Sequence, residues 1–391
     1  MAFADVREYT HLTDEEVEAI GAELDQIRAE VEASRGQADR DYILRVITLQ
    51  RRLAAAGRIT LFASFFPPAW LLGTALLGSA KILENMELGH NAMHGQWDWM
   101  NDPEIHSSNW EWDTTQPAEQ WKHSHNYIHH QFTNVLGHDN DIGYGILRMS
   151  RDQKWHPANL GQPVYNALLA LFFEWGVALH DLDLEGIRKG TKSRKALLQD
   201  LKGIRGKMVR QVVKDYVAFP ALSGRKGFKA TFAANFTANM VRNIWSNAII
   251  FCGHFPDQAY TFTEEEAADE SQGAWYIRQL LGAANIDGSS TFHLMSGNLS
   301  YQVEHHLFPD MPSSRYKEIA PKVKEICERY ELPYNTGPFL QQWLMVQRTI
   351  LRLAFPGGST RPKAPAYVAP PEVVDPGPLV HSVAGPIPAF P

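Results

Sequence analysis

Gln302-Val303-Glu304-His305-His306-Leu307-Phe308-Pro309-Asp310-Met311 presents two adjacent imidazoles, and two further histidine clusters stand far upstream. These are His90-Asn91-Ala92-Met93-His94 and His125-Asn126-Tyr127-Ile128-His129-His130. Imidazole is the commonest protein ligand for transition metals, and spacings of three to five place the rings on one helical face. One pair four apart would more often be solvated or capping. Three clusters on segments that must converge predict a histidine-rich metal centre.

The donor types narrow the metal. Cys252 and Cys327 are the only cysteines, so a zinc ribbon or an iron–sulfur cluster lacks its thiolates. A structural zinc site closes with four ligands, about half of what these clusters offer, so two metal ions fit better than one. Imidazole suits iron, copper and zinc and disfavours magnesium or calcium. Oxygen activation needs a redox-active metal with an open position, which favours a di-iron centre. The other histidines have plainer readings. His123 lies on a different helical face from His125; His106, His138, His156, His180 and His293 are isolated, and His11 and His381 fall in surface segments.

Three strings resemble the histidine boxes of the integral-membrane fatty acyl desaturases. They are Gly89 to Gly95, His125 to His130 followed by Thr133-Asn134 and Gly137-His138-Asp139-Asn140-Asp141, and Gln302 to Pro309. The likeness runs over residues 40–350. Gln302, with Pro312-Ser313-Ser314-Arg315-Tyr316, most resembles the actinobacterial acyl-CoA desaturases. The resemblance implies a ligand set: His90 and His94; His125, His129 and His130; His305 and His306, with Gln302 as a ligand or just behind one. It adds His254, in Cys252-Gly253-His254-Phe255-Pro256, at the cytoplasmic end of the last membrane helix. Animal acyl-CoA desaturases place a water-holding asparagine four residues before that histidine. Here the position is Ile250, and Asn247 lies nearly two turns before His254. Asn247, Asp139 and Asp141 are the candidates to stand behind the ligands; for the two aspartates a turn-forming acidic loop is the other reading.

The activity so implied is oxygen-dependent introduction of a cis double bond into a long-chain acyl-CoA or acyl lipid. Stearoyl- or palmitoyl-CoA at carbon 9 is the first expectation and linoleoyl or front-end activity the second. Two irons and O2 would serve as cofactor and co-substrate. The chain has no haem-binding His-Pro-Gly-Gly, no cysteine cluster and no glycine-rich dinucleotide fingerprint, so electrons must come from outside. A ferredoxin-like carrier with an NAD(P)H reductase is expected. The rival readings are a di-iron hydroxylase or ketolase, and a membrane protein that binds zinc structurally or transports metal.

The elements that must bring the boxes together follow from length and hydropathy. The chain has 391 residues, 44% of them hydrophobic, and a net charge of −7. Its first and last boxes must share one centre, so residues 41–355 are read as one catalytic domain. Residues 1–40 are acidic and lack a signal peptide; Thr13-Asp14-Glu15-Glu16 is a capping box opening an amphipathic helix through Val31, read as an ordinary surface helix. Residues 356–391, rich in proline, glycine and alanine, are expected to be disordered. No nucleic-acid motif occurs.

The expected fold is all-α: about four transmembrane helices beneath a cytoplasmic helical cap that holds the metals. Ile59 to Ala80 is the best apolar stretch, interrupted by Pro67-Pro68, with Leu53 to Phe66 as a short first helix. Ten Lys and Arg lie between 188 and 214, and basic segments belong on the cytoplasmic side. Val164 to Leu179 is therefore laid in the interface, while Met208 to Leu222 pairs with Phe228 to Phe255 as a hairpin around Ser223 to Gly227. The site then faces the cytoplasm of a multi-pass cell-membrane protein. The basic segment is read as membrane anchoring, with docking of an acidic carrier or acyl-CoA phosphates as the alternative. Trp97, Trp99, Trp110, Trp112 and Trp121 are read as an interfacial belt or as lining of an acyl channel.

Overall fold

The computed structural model describes residues 11–190 and 192–357. It is mostly helical, as expected. Helix α1 spans Asp14–Ser34 and opens on the capping box, the Thr13 hydroxyl accepting from the Glu16 amide at 3.2 Å while the Glu16 carboxylate accepts from the Thr13 amide at 2.8 Å. Helix α2 spans Gln37–Leu61 and α3 spans Pro67–Leu83. The first hairpin helix thus begins well before Leu53, because Ile43, Val46 and Ile47 continue an apolar stripe that packs with Leu88 and Trp97. Proline suits the first turn of α3, where its missing amide hydrogen costs no helical bond.

Two segments, Glu84–His90 and Lys122–His129, are π-helical. Helix α4 (Gln162–Leu171) and α5 (Phe173–His180) are separated by a break at Phe172. Helix α6 (Arg194–Val212) continues through a π turn to Leu222, reverses at Ser223 and returns as α7 (Gly224–His254), the hairpin expected there. A cap follows: α8 (Gln272–Gly282), α9 (Gln302–Leu307), α10 (Tyr316–Arg329) and α11 (Phe339–Leu353). Two three-residue strands, β1 (Asn285–Asp287) and β2 (Thr336–Pro338), pair in parallel with Ile286 opposite Gly337.

Helix α1 is more than a surface helix. Val17, Ile20, Leu24, Ile27 and Val31 recur at helical spacing and sink into the cap core with Ile277, Leu280 and Ile319. Where α1 meets α8, a Cβ on Gly273 would stand 2.2 Å from the Val17 carbonyl oxygen, so only glycine allows this approach. Arg28 pairs with Asp310, in the segment that ends the third histidine cluster, at 2.5 Å, and Glu23 with Arg329 at the end of α10 at 2.7 Å.

Among the described residues no helix is long and apolar enough to cross a membrane. The reason lies in which faces are polar. Helix α7 buries Asn235, Asn239, Arg242 and Asn243, and exposes Phe228, Phe232, Phe236, Val241 and Ile244. The buried Asp215 pairs with Arg58 at 2.6 Å and Lys81 at 2.9 Å, while Phe65, Leu71 and Leu222 are each more than 60% exposed. Around Asp215 and along α7 the bundle carries polar residues inside and apolar ones outside, which dilutes the mean hydropathy of α7, while the apolar α3 is only 17 residues long. The disordered tail expected at 356–391 lies outside the described residues, save Pro356 and Gly357.

Candidate metal centre

The three histidine clusters and His254 converge at the junction of bundle and cap. Nitrogens of His90, His94, His125 and His305 lie within 4.8 Å of one another, and so do those of His129, His254 and His306. His130 stands between the two groups, its ring centroid 4.7 Å from that of His94 and 4.5 Å from that of His306.

The π-helical turns make this convergence possible. A simple α-helical stripe would set His129 and His130 at different angles to His125. Here the His130 amide bonds to the His125 carbonyl at 3.0 Å, an i to i+5 bond that widens the turn, and the rings of His125 and His129 stack at 4.9 Å. The first cluster likewise follows the π turn ending at His90.

Most of these rings are held from behind through Nδ1. His90 donates to the Asn91 side-chain oxygen at 3.1 Å, His129 to both Asp139 oxygens at 3.0 Å, His305 to the Tyr316 hydroxyl at 3.3 Å, and His306 to Gln279 Oε1 at 3.2 Å. His125 Nδ1 lies 3.5 Å from Asp141. A partner on Nδ1 fixes the tautomer and leaves Nε2 bare toward the centre. The Nε2 atoms of His94, His125, His129 and His305 and both nitrogens of His130 are buried with no hydrogen-bond partner. Burial, then mutual repulsion, pushes His94, His130, His305 and His306 well below the usual histidine range, and burial takes His90 down to about 4. At His129 burial also opposes the charge, but Asp139 outweighs it and raises the value. Neutral imidazoles with bare nitrogens are what a metal requires.

His254 Nε2 lies 3.0 Å from the Gln302 side-chain nitrogen and 3.3 Å from His306 Nε2. A metal ion bound by both nitrogens would take the place of the proton that otherwise has to lie between two such lone pairs. The donor set therefore fits two metal ions, one per group. Gly253 permits this corner, since a Cβ there would stand 2.7 Å from the Gln302 side chain.

A cavity opens beside the cluster, lined by Trp112, Trp121, Tyr144, Phe173, Val177 and Ile250 together with several of the histidines. Trp121 stacks on His125 at 4.3 Å. A fatty acid desaturase family model matches residues 65–338. An "NADPH-dependent stearoyl-CoA 9-desaturase" of Mycobacterium tuberculosis is 51% identical over 367 residues, 93% of this chain and 86% of the relative. The chain belongs to the fatty acid desaturase family. More distant relatives agree: an "sn-1 linoleoyl-lipid 6-desaturase" of Synechocystis sp. is 27% identical over 78% of this chain and 87% of its own, and human "Fatty acid desaturase 3" is 36% identical over 22% and 19%.

As a desaturase, the chain has every histidine of the expected set in one of the two groups or between them. Gln302 touches His254, Asp139 lies 3.0 Å from His129 Nδ1 and Asp141 3.5 Å from His125 Nδ1. Asn247 touches none of these rings; its buried amide nitrogen has no partner. His123 is exposed and stacks on Tyr127 away from the centre. Of the five tryptophans, Trp112 and Trp121 line the cavity, while Trp97 is buried against Tyr42. Sequence reasoning missed Asn91, Gln279 and Tyr316 as ring-holding residues. Tyr316 lay within a string already singled out, whereas Gln279 carried no signal. It also set His180 aside as isolated, though His180, Asp141 and Asp181 come within 4.8 Å of one another beside the cavity.

Proposed function

We propose that this desaturase uses O2 to place a cis double bond at carbon 9 of a saturated long-chain acyl-CoA, with stearoyl- or palmitoyl-CoA as substrate. The carrying observation is the pair of convergent imidazole groups set against an aromatic cavity. The name of the mycobacterial relative supports the substrate and the bond position. Linoleoyl or front-end activity has the weaker support of the 27% relative.

Two iron ions would be held by His90, His94, His125 and His305 on one side and by His129, His254 and His306 on the other, with His130 available to either. When bound, iron supplies the oxidising power toward an unactivated methylene that no side chain has. The protein supplies position. Asp139, Tyr316 and Gln279 hold imidazole tautomers, and Trp112, Trp121, Tyr144 and Phe173 give the acyl chain a dry wall. A displacement by one carbon would change the product, so the fit of the chain along that wall decides which methylenes react. The two hydrogens removed, two electrons and two protons reduce O2 to two waters.

The electrons are assigned to a ferredoxin-like carrier with an NAD(P)H reductase; "NADPH-dependent" in the relative's name is in keeping with this. The protein is placed in the cell membrane with the metal centre on the cytoplasmic side. The exposed phenylalanines and leucines of the α2–α3 hairpin and of α6 and α7, wrapped around buried polar residues, support lipid as their solvent. Residues 41–355 are read as the catalytic domain, with α1 completing its cap.

Expression in a desaturase-deficient host, followed by mass spectrometry of double-bond positions, tests this reading. Monounsaturated acyl chains with the bond at carbon 9 are expected. An iron-loaded protein that yields only hydroxylated chains would overturn it.

A further inference from the structure

The cavity beside the histidines has apolar walls and a polar bottom. Along α7 its lining residues are Asn243, Ile250 and His254, one stripe at spacings of seven and four. Asn243 precedes His254 by eleven residues, about 16 Å at 1.5 Å per residue. Along α5 the lining runs from Phe173 and Glu174 past Val177 to Asp181 just beyond the helix end, and Asp181 accepts from Ser124, the neighbour of His125, at 2.6 Å. The metal end of both stripes is thus the upper end. Glu174 and Asn243 lie at the other, where Thr114 is held between its neighbours, Thr115 donating to the Glu174 carbonyl at 2.9 Å and the Asp113 carbonyl accepting from Arg242 at 3.4 Å.

These bottom residues are locked together. Glu174 pairs with Arg242 at 2.6 Å and accepts from Gln211 at 2.7 Å, both carboxylate and guanidinium being almost fully buried. Asn243 accepts from Arg242 Nε at 2.9 Å and donates to the Leu171 carbonyl at 2.9 Å. Asn85 accepts from Ser246 at 2.8 Å. A leucine or methionine at the end of a tunnel can rotate to admit another methylene. A buried ion pair cannot move aside without leaving a charge uncompensated in a dry interior, so it forms an unyielding stop.

We propose that the Asn243–Arg242–Glu174 cluster, with Thr114, is the floor against which the acyl methyl end abuts, and that it sets the longest chain this enzyme accepts. The inference rests on the acyl-CoA reading above. Asn243 and Thr114 are length-determining residues: they act on which chain fits, while the carbon that reacts is fixed at the metal end. Removing the Asn243 amide deepens the cavity. Enlarging Thr114, whose buried hydroxyl has no partner, makes it shallower with little disturbance of the network.

The test uses the full-length protein in a desaturase-deficient host fed equal amounts of palmitate, stearate and arachidate. Product chain length and bond position are read by mass spectrometry, and iron content of the purified protein is measured alongside. Asn243→Ala should raise the arachidoyl-to-stearoyl product ratio about tenfold and Thr114→Leu the palmitoyl-to-stearoyl ratio about tenfold, the discrimination one or two methylenes carry. The bond should stay at the same carbon counted from the carboxyl end. Asn243→Ser replaces Asn243→Ala if the latter does not accumulate. Active, iron-loaded variants with the wild-type length profile overturn this inference alone. Absence of any double bond from the wild type overturns the desaturase reading and this inference with it.

Discussion

Asp139 accepts the Nδ1 proton of His129 with both carboxylate oxygens, each 3.0 Å away, and is itself pinned by the backbone amides of Asn134 at 2.7 Å and Asp141 at 2.9 Å. The aspartate is therefore rigid before any metal arrives, and His129 can present only Nε2 to its group. Asp139→Asn keeps the shape but lets the amide nitrogen face the ring, which removes the tautomer preference. Metal affinity should fall roughly 10- to 100-fold. Metal content after dialysis against graded chelator measures it; unchanged retention would show that Asp139 serves only its turn.

His130 and His123 make a contrasting pair within one short segment. His130→Ala should lower bound metal per chain and abolish desaturation, because its ring lies within 5 Å of rings in both groups. His123→Ala should leave both unchanged, since that side chain is exposed against Tyr127. Elemental analysis and product yield of the two variants, prepared in parallel, decide the matter.

Glu87 links titration to stability. Burial pushes its carboxyl from an ordinary 4.5 up to about 7, against the opposing effect of hydrogen bonds from Ser313, Tyr42 and Asn298. A carboxyl raised in the folded state favours folding fully below the unfolded value. That contribution is lost as pH rises from 4.5 through 7, a change on the order of 3 kcal/mol. Glu87→Gln removes it. Thermal midpoints in detergent between pH 5 and pH 8 should fall more steeply for the wild type than for the variant, and parallel curves would refute the assignment.

Leu24 tests whether α1 belongs to the cap. It is fully buried in the cap core with Ile277 and Ile319. Leu24→Ala should cost about 2 to 5 kcal/mol, as cavity-forming changes in packed cores do. A thermal midpoint equal to that of the wild type would return α1 to the status of a surface helix.

The family, the mostly helical class and the residues of the candidate metal site were legible in the sequence because each rests on local information. Ligand residues sit a few positions apart within each cluster, and the Thr13–Glu16 capping box marks a helix start by itself. Other features were hidden because they are made by residues distant in the chain. Gln279 reaches His306 only when α8 packs beside α9, and His180 meets Asp141 only when α5 folds back beneath the second cluster. The division of the histidines into two groups also escaped local reading, since helical spacing alone does not announce a π turn. The arrangement of the bundle was hidden for a related reason: hydropathy averages around a helix, whereas Arg242 and Asn243 are buried and Phe232 and Phe236 exposed. Residue type determined that the chain carries a histidine-rich donor set and which metals such donors would suit. Packing alone decided which imidazoles come together and that the buried Arg242–Glu174 pair lies against the cavity, because both depend on distances the chain acquires only once folded.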